Sequence, residues 1–495
     1  MAFTTVTAND GSLVEFDADA APIQGGCKDV YFSRDKRYVV AFYRNSLDPR
    51  AVDRLEHIVG PYRERIFDPN ASGNYWNDIF CWPDRLVRWQ GRVGIAAPTY
   101  APQFFFSNGK FAGKEKNGKW FASAKLFNRF VPDDEKGTLF TMLRACLTLS
   151  RGMRRLHAAG LAHSDLSYNN CLINPKDGQA CVIDLDGLVV PGKYPPEVVG
   201  TPDFIAPEVV KTQKLKLDDP NKALPCRATD QHALSVLIYS LLFHRHPLRG
   251  SAVYSRDEKE QERLEMGERA LFVEHPTDAS NRLKPDSPAE SPWNDTTKTP
   301  YTLFGQKLAK LFRQAFIDGL HDPTKRPTAN AWETAIVQTS DSLLPCSNPD
   351  CVHKWFVLDQ FTRQSALQCP CCGTRYGQTI PILDFYLKQG SSVYRPENHC
   401  LTVFHNLCVY LWHIDPKVTP NERLQASERD PVGYISFYRG RWVFVNQKIS
   451  GMRNLTTGAN VPPGGMVELQ HGLELQLYSN GSQERKVFVR LLQAS

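Results

Sequence analysis

The stretch LAHSDLSYNNCLI, residues 161–173, decides the fold class of this chain. Upstream of it, leucines recur near helical spacing from Leu139 onward, and Ala-Ala-Gly at 158–160 then breaks the pattern. Such periodicity predicts a buried helix that runs into a polar loop. The loop holds His163, Asp165 and Asn170. The sequence therefore predicts that these side chains stand together at the end of a rigid element.

A second polar group follows closely. The apolar run ACVIDLDGL, residues 180–188, predicts a buried strand that ends on Asp184 and Asp186. Phosphoryl transfer from a nucleotide needs an acidic group that accepts a hydroxyl proton and oxygen ligands that hold magnesium on the phosphates. Asp165 suits the first role, and Asn170 and Asp184 suit the second.

In this order the motifs resemble the protein kinase superfamily, whose catalytic loop reads H-R-D with an Asn five residues later, followed by D-F-G. Here the two motifs read His163-Ser164-Asp165 with Asn170, and Asp184-Leu185-Asp186. Further landmarks appear in the expected order: Ala206-Pro207-Glu208, then Asp230 at the start of a buried helix, then Arg326 as the expected partner of Glu208. The resemblance implies a kinase-like fold that uses ATP and Mg2+.

Departures from the family pattern refine this resemblance. Ser164 stands where the family has arginine, so a phosphate on the activation segment would lack its usual partner. With Ser167 two positions after Asp165, HSDLSYNN is more similar to the RIO and antibiotic-phosphotransferase branches of the superfamily. Asp186 replaces the D-F-G glycine, which leaves Asp184 as the metal ligand and Asp186 as a possible second one.

The glycine turn IQGGCKDVYF, residues 23–32, aligns with the kinase loop G-x-G-x-x-G-x-V. Gly25 keeps the second glycine, Gly26 follows it, and Lys28 stands at the third glycine position. The next strand, RYVVAFYR, has no lysine, and the usual lysine position falls on Ala41 or Tyr43. The with-no-lysine kinases are similar in this respect, which implies that Lys28 contacts the phosphates. A solvent-facing turn lysine is the alternative.

Other parts of the nucleotide site follow from the same resemblance. The helix that begins near Pro49 offers Glu56 as the carboxylate partner of Lys28, with Glu64 as the competitor. Pro98 and Tyr100 lie where a hinge would hydrogen-bond adenine through its backbone. Residues 251–300 are charged and then rich in Pro and Ser, and this composition predicts a mobile excursion.

Clustered cysteines follow residue 340. Cys346 and Cys351 form one knuckle, and Cys369 and Cys372 form a second. Four thiolates on two turns can close a tetrahedron around zinc, so the spacing predicts a structural zinc ribbon. Cys371 and His353 are additional ligand candidates, and free or redox-active thiols are the alternative.

The last hundred residues alternate apolar and polar positions between Gly, Asn and Pro, which predicts an antiparallel β-sandwich. Its second half resembles a forkhead-associated domain, although the Ser and Arg that grip phosphothreonine are not recognisable. The predicted class is α+β: a two-lobed protein-kinase-like fold followed by a zinc ribbon and an antiparallel sandwich. The predicted domains are a small lobe at 1–100, a large lobe at 101–342, the ribbon at 343–380 and a recognition domain at 381–495.

Composition bounds the partners. Lys and Arg number 59 against 53 Asp and Glu, and the charges are interspersed, which argues against a nucleic-acid partner. No apolar run reaches the roughly 18 residues that a membrane span needs, and the 13 cysteines suit reduced thiols. We expect a cytoplasmic protein without a membrane partner.

Taken together, the predicted domains resemble the bacterial kinases encoded beside a von Willebrand type A protein and a PP2C-type phosphatase in tellurium-resistance-associated systems. The resemblance implies serine/threonine phosphorylation of the von Willebrand type A partner, reversed by the phosphatase. A pseudokinase scaffold that binds partners through its ribbon and sandwich is the alternative. Small-molecule phosphotransfer is disfavoured by Glu208 and Arg326, which belong to the protein-kinase version of the large lobe.

Overall fold

The computed structural model describes residues 3–68, 75–190, 192–194, 200–216, 219–358, 367–390, 393–481 and 483–493. The chain divides into two compact units. The first comprises 1–137, 141–301 and 310–333, and the second comprises 138–140, 302–309 and 334–495. Within the described ranges no helix has both the length and the apolar character to cross a membrane.

The strands of the first unit are β1 (Thr4–Thr7), β2 (Leu13–Phe16), β3 (Ile23–Gln24), β4 (Lys28–Phe32), β5 (Tyr38–Tyr43), β6 (Arg85–Trp89), β7 (Arg92–Pro98), β8 (Cys171–Asn174) and β9 (Gln179–Val182). Five of them form an antiparallel sheet in the order β3-β4-β5-β7-β6. Successive side chains of β5 point to opposite faces of this sheet. Val40 and Phe42 pack against Phe16 on one face, and Ala41 and Tyr43 pack in an apolar cluster on the other. Both faces of the sheet are therefore covered.

The helices before residue 341 are α1 (Pro49–His57), α2 (Arg63–Ile66), α3 (Lys119–Ala122), α4 (Ala124–Phe130), α5 (Leu139–Ala158), α6 (Pro207–Thr212), α7 (Arg227–Phe243), α8 (Glu258–Met266), α9 (Gln306–Arg313) and α10 (Ala329–Ser340). Helix α1 begins as predicted, because Pro49 fills its first turn and the Asp48 carboxylate accepts from the Ala51 N–H at 2.8 Å. Leu55 of α1 joins the cluster of Ala41 and Tyr43. The helix is thus seated on the face of the sheet that carries those residues.

Helix α7 is buried along nearly its whole length, which accords with its almost continuous apolar sequence. One of its polar side chains has a partner on α10, because the Trp332 indole N–H donates to the Ser235 hydroxyl at 3.2 Å. A helix of this kind is a rigid base on which neighbouring loops are anchored.

The expectation that residues 251–300 form a mobile excursion is wrong. The segment contains α8 and the fully buried Trp293. The guanidinium of Arg245, itself buried, donates to the Glu274 carboxylate at 2.8 Å and to the Thr299 carbonyl at 2.6 Å. A buried cation needs such acceptors, and composition alone does not reveal that this segment supplies them.

The second unit contains strands β10 (Leu343–Pro345), β11 (Trp355–Val357), β12 (Ile380–Gln389), β13 (Arg395–Thr402), β14 (Leu407–Tyr410), β15 (Pro431–Tyr438), β16 (Arg441–Asn446), β17 (Arg453–Asn454), β18 (Met466–Glu468), β19 (Glu474–Ser479) and β20 (Gln483–Leu492), with α11 (Leu411–Ile414) and α12 (Ala426–Arg429). One sheet has the order β13-β12-β20-β19-β17 and another β14-β15-β16-β18, and all their pairings are antiparallel. Both sheets contribute to one apolar core, for example through Phe385 and Val487 of the first and Ile435 and Phe444 of the second. The forkhead-associated resemblance stays a prediction.

Candidate functional site

The loop after α5 is held in an unusual backbone conformation. Ser164 has a φ of +66°, which is uncommon for a residue other than glycine. The carboxylate of Asp230, buried at the start of α7, accepts from the His163 N–H at 2.8 Å and from the Ser164 N–H at 3.1 Å. These two bonds satisfy backbone donors at the strained position and fix the residue that follows, Asp165.

Both carboxylate oxygens of Asp165 have defined partners. Oδ1 accepts from the Thr201 backbone N–H at 2.6 Å and from its hydroxyl at 2.8 Å, and Oδ2 accepts from the Asn170 side-chain amide at 3.0 Å. The same amide donates to the Asp165 carbonyl at 2.8 Å. The structure thus brings the two predicted residues together and adds Thr201, which the sequence reasoning missed. The sequence signal for Thr201 was its position in GTPDFIAPE, residues 200–208, shortly before Ala206-Pro207-Glu208.

The loop from His163 to Asn170 contacts the residue that follows β9. The Ile183 N–H donates to the Asn170 carbonyl at 3.0 Å, and His163 Nε2 lies 3.1 Å from the Ile183 carbonyl. The next residue, Asp184, has a φ of +60° and begins a short helical turn. These contacts place Asp184 next to the loop that contains Asn170.

Lys28 reaches the same strand end from the glycine turn. Its Nζ lies 3.2 Å from Asp184 Oδ1 and 2.9 and 2.7 Å from the two carboxylate oxygens of Asp186. The Asp184 side chain is 50% exposed, whereas those of Asp186 and Lys28 are 7% and 17% exposed. Asp186 is therefore the buried partner of Lys28, and Asp184 is the partner that remains accessible to solvent.

The register of β4 and β5 distinguishes the two positions left open for the absent strand lysine. Lys28 pairs directly with Tyr43, and Val30 pairs with Ala41. The Tyr43 hydroxyl donates to Asp186 Oδ2. Tyr43 and Lys28 thus approach one carboxylate from adjacent strands, while Ala41 lies two pairs further along.

The charges of this cluster shift one another's titration. Burial would raise the pKa of Asp186, but the Lys28 charge and the hydrogen bonds from Lys28 and Tyr43 outweigh it and lower that pKa to about 2. Burial likewise opposes the charge of Lys28, and the two carboxylates outweigh it and raise the pKa of Lys28. Partial burial and the neighbouring Asp186 charge raise the pKa of Asp184. A cation placed beside Asp184 would relieve that repulsion.

The glycine turn is tied to β5 by an arginine. Arg44 donates to the Gly25 carbonyl at 2.8 Å and to the Gly26 carbonyl, and its guanidinium lies 3.3 Å from Asp29. A methyl group added to Gly26 would meet nothing within 4 Å, so open space adjoins the turn. Such a turn leaves room for a ligand beside its backbone.

The other residues predicted to contact the nucleotide or Lys28 lie on the helices α1 and α2 and at the end of β7. Glu56 is exposed on α1, as is Glu64 on α2, and Lys28 instead makes its ion pairs with Asp184 and Asp186. Tyr100 packs with Leu172 and Ile183 in an apolar cluster just beyond Pro98, where β7 ends. Burial raises the pKa of the Tyr100 hydroxyl.

The predicted pairing of Arg326 with Glu208 is confirmed. Two parallel bonds join them, from Nη1 to Oε1 at 2.8 Å and from Nη2 to Oε2 at 2.7 Å. The Arg326 side chain is 1% exposed and also donates to the carbonyls of Gly319 and Ala228. This pair ties α6 to the loop before α10.

The second unit brings four thiols together. The Sγ atoms of Cys346, Cys351, Cys369 and Cys372 all lie within 4.8 Å of one another. Cys346 and Cys372 are 3.5 Å apart, and Cys351 and Cys369 are 3.9 Å apart. Zinc–sulfur bonds of about 2.3 Å in a tetrahedron place the sulfurs about 3.8 Å apart, so these distances fit a zinc ion.

The two further ligand candidates lie outside this group. Cys371 does not belong to the four-sulfur cluster found among the described residues. His353 is buried, and its ring packs edge-on against Phe304 with centroids 5.3 Å apart.

Parts of this chain are similar to known protein kinases. A family model described as the protein kinase domain matches residues 123–335. The chain is 33% identical over 107 residues to the probable serine/threonine-protein kinase RTK1 of Saccharomyces cerevisiae, covering 20% of this chain and 16% of that protein. It is 34% identical over 109 residues to the death-associated protein kinase dapk-1 of Caenorhabditis elegans, covering 21% of this chain and 7% of that protein.

The chain thus spans less than a fifth of the length of either curated relative. Among solved structures it is similar to a rhoptry kinase from Toxoplasma gondii, with a TM-score of 0.40 and 14% identity over 68% of this chain and 84% of that one. The matched domain and the named relatives support a protein kinase domain in this chain.

Proposed function

We propose that the protein is a Mg2+- and ATP-dependent serine/threonine protein kinase in which Lys28 does the work of the missing strand lysine. One observation carries this proposal: Lys28 Nζ lies within 3.2 Å of both Asp184 and Asp186. A flexible amine on either of two neighbouring strands can reach the same point, because such strands are about 4.8 Å apart. The position opposite Tyr43 therefore suits a substitute for a lysine on β5.

The other residues take roles that follow from their chemistry. Asp165 is oriented through both oxygens and is the group that accepts the proton of the substrate hydroxyl. Asn170 and Asp184 supply oxygen ligands for magnesium, which neutralises phosphate charge when bound. Asp186 retains Lys28 in the cleft, and it is the second candidate for the metal.

Nucleotide binding would use the surfaces on either side of this cluster. The open space beside Gly26 would receive the phosphates. The backbone near Pro98 and the apolar cluster of Tyr100 suit an adenine ring.

Radiolabelled ATP with a protein substrate tests the proposal. We expect Asp165→Asn to abolish transfer while nucleotide binding persists, since the substitution removes the basic carboxylate and keeps its shape. Asp177→Asn, on the turn between β8 and β9, is the matched control and keeps full activity. Equal transfer by wild type and Asp165→Asn would overturn the kinase assignment. Nucleotide binding without any transfer by the wild type would favour the pseudokinase alternative.

We also propose that the four cysteines hold one structural zinc ion. The proposal is supported by the fit of their sulfur positions to a tetrahedron and by their setting. Cys351 and Cys369 share an apolar cluster with Phe356 and Ile380, at the base of the adjoining sheet. The ion would therefore join two turns of a small segment that has little core of its own.

The partners are proposed from the family resemblance. A von Willebrand type A protein would be the substrate and a PP2C-type phosphatase would reverse the modification, in a bacterial stress or signalling system. Transfer of labelled phosphate to a purified von Willebrand type A protein, followed by its removal by the phosphatase, tests this assignment. Absence of transfer to that protein, with transfer to a generic substrate intact, would overturn the choice of partner but not the activity.

A further inference from the structure

Tyr194, eight residues after Asp186, takes no part in the proposed chemistry but joins two parts of the first unit. Tyr194 is only 4% exposed, and its hydroxyl donates to the Asp53 carboxylate of α1. The same hydroxyl lies 3.1 Å from His57 Nδ1, also on α1, and the two rings are 5.6 Å apart. The segment after Asp186 is thus joined to α1 by side-chain hydrogen bonds.

The protons of this cluster can be assigned consistently. Lys193 Nζ lies 3.2 Å from His57 Nε2, and an ammonium group can only donate, so Nε2 is the acceptor. Nδ1 then carries the ring proton and donates to the Asp53 carbonyl at 2.8 Å and toward the Tyr194 oxygen. Tyr194 keeps its own proton for the Asp53 carboxylate. Every polar atom of the contact is therefore satisfied in one arrangement.

On one side, Tyr194 is connected to the catalytic loop. The backbones of Tyr194 and Val190 hydrogen-bond to each other. Val189, which precedes Val190, pairs with Ala162 through bonds of 2.8 and 2.9 Å. Ala162 immediately precedes His163. A displacement of Tyr194 would thus change the backbone position of the loop that contains Ser164.

On the other side, α1 is connected to the group formed by Tyr43, Asp186 and Lys28. Leu55 of α1 is fully buried and shares an apolar cluster with Tyr43, whose hydroxyl donates to Asp186. Asp186 in turn holds Lys28. The position of α1 therefore influences the two groups that orient Lys28.

We propose that Tyr194 is a positioning residue that fastens the activation segment to α1 through Asp53 and His57, so that the catalytic loop and the Lys28–Asp186 pair are held together without a phosphate on that segment. A hydroxyl can replace a phosphate in this role because Ser164 leaves the loop without the arginine that a phosphate would need. A hydrogen bond from a neutral donor to a carboxylate belongs to the stronger class.

Tyr194→Phe removes the hydroxyl and keeps the ring, and Tyr394→Phe is its matched control. Tyr394 also donates to a carboxylate, Glu484 at 2.6 Å, but in the second unit. We expect Tyr194→Phe to raise hydrogen exchange of the peptide 49–57 at least about fivefold, since loss of one charge-assisted hydrogen bond permits such local opening. Tyr394→Phe leaves that exchange unchanged. Unchanged exchange in Tyr194→Phe would overturn the proposal.

The kinetic readout of this inference rests on the proposed kinase function, whereas the exchange readout does not. We expect Tyr194→Phe to lower kcat/KM for ATP about tenfold, with KM raised. If the wild type is inactive but shows the expected difference in exchange, the proposed kinase function is refuted and the positioning role of Tyr194 is retained. If the wild type is active and Tyr194→Phe leaves kcat/KM unchanged, only the positioning role of Tyr194 is refuted.

Asp53→Asn keeps the test decisive even if Tyr194→Phe fails to fold. It leaves the tyrosine in place and removes the charged acceptor, and it should reproduce both effects. Adding Tyr194→Phe to Asp53→Asn should change kcat/KM by less than about twofold, because partners in one bond are not additive. Multiplication of the two single effects would overturn the pairing.

Discussion

Lys28 of the glycine turn and Asp186 at the end of β9 form an ion pair 2.7 Å long, although they are 158 residues apart in the sequence. The carboxylate is buried, so the pair places a cation in a partly desolvated cleft beside the exposed Asp184. Charges interact more strongly in such a setting than in water. The pair thus links β4, the neighbour of the strand without a lysine, to the carboxylates that suit magnesium.

Replacement of Lys28 should slow phosphoryl transfer. We expect Lys28→Met to lower the rate by roughly two to three orders of magnitude, because a cation near phosphate oxygens in this cleft is worth a few kcal/mol in the transition state. Steady-state kinetics with labelled ATP measure it. Lys36→Met, on the turn between β4 and β5, is the control and should retain full activity. Full activity in Lys28→Met would show that phosphate is held by other groups.

Moving the amine to β5 should restore part of that loss. In Lys28→Gly/Tyr43→Lys the new lysine starts from the position directly paired with residue 28, so we expect at least about a tenfold gain over Lys28→Gly alone. Lys28→Gly/Ala41→Lys is the matched control, and it should show no gain because Ala41 is paired with Val30 and buried in an apolar cluster. The opposite ranking of the two double variants would contradict the register argument.

Thr201 should matter for catalysis through Asp165. Thr201→Val removes the hydroxyl that donates to Asp165 Oδ1 and keeps the shape, and we expect kcat to fall about tenfold with KM for ATP little changed. Thr201→Ser restores the donor and should recover most of the rate. If serine and valine behave alike, the hydroxyl has no part in orienting the carboxylate.

The Glu208–Arg326 pair should contribute strongly to stability. Arg326→Met leaves a partly buried carboxylate and three backbone carbonyls without their donor, so we expect the free energy of unfolding to fall by about 3 kcal/mol. Lys298→Met removes an exposed pair with Asp295 and should cost less than about 1 kcal/mol. Urea titration of both variants compares them. Equal, small losses would indicate that the buried pair adds no net stability.

Zinc content should follow the four-sulfur geometry. Metal analysis of the purified protein should find about one zinc per chain, and Cys346→Ser or Cys369→Ser should lose it, because three thiolates no longer close the tetrahedron. Cys371→Ser is the neighbouring control and should keep the metal. Zinc that is absent from the wild type, or unchanged in both ligand variants, would refute the site.

Much of the fold and part of the candidate site could be predicted from residue order. The loop from His163 to Asn170 could be predicted because it follows a helix whose apolar spacing is visible in the local sequence. The pairing of Glu208 with Arg326 could be predicted because the family motifs associate these two residues. Thr201 and Tyr194 were not predicted, since each acts on a residue that is distant in the chain. The charged, Pro- and Ser-rich composition of 251–300 suggested mobility, but the Glu274 carboxylate and the Trp293 and Thr299 carbonyls of this segment accept hydrogen bonds from the buried Arg245.

The sequence by itself determined which chemical groups are present and in what order: the loop of Asp165 and Asn170, the acidic strand end, the cysteine pairs and a β5 strand without lysine. Only the tertiary structure decided that Lys28 meets Asp186 rather than Glu56, and that Tyr43 rather than Ala41 faces it. The physical reason is that Ala41 and Tyr43 project from the same face of a strand with a period of two, so only the register against β4 separates them. Register is set by the packing of the whole sheet, which no local pattern contains.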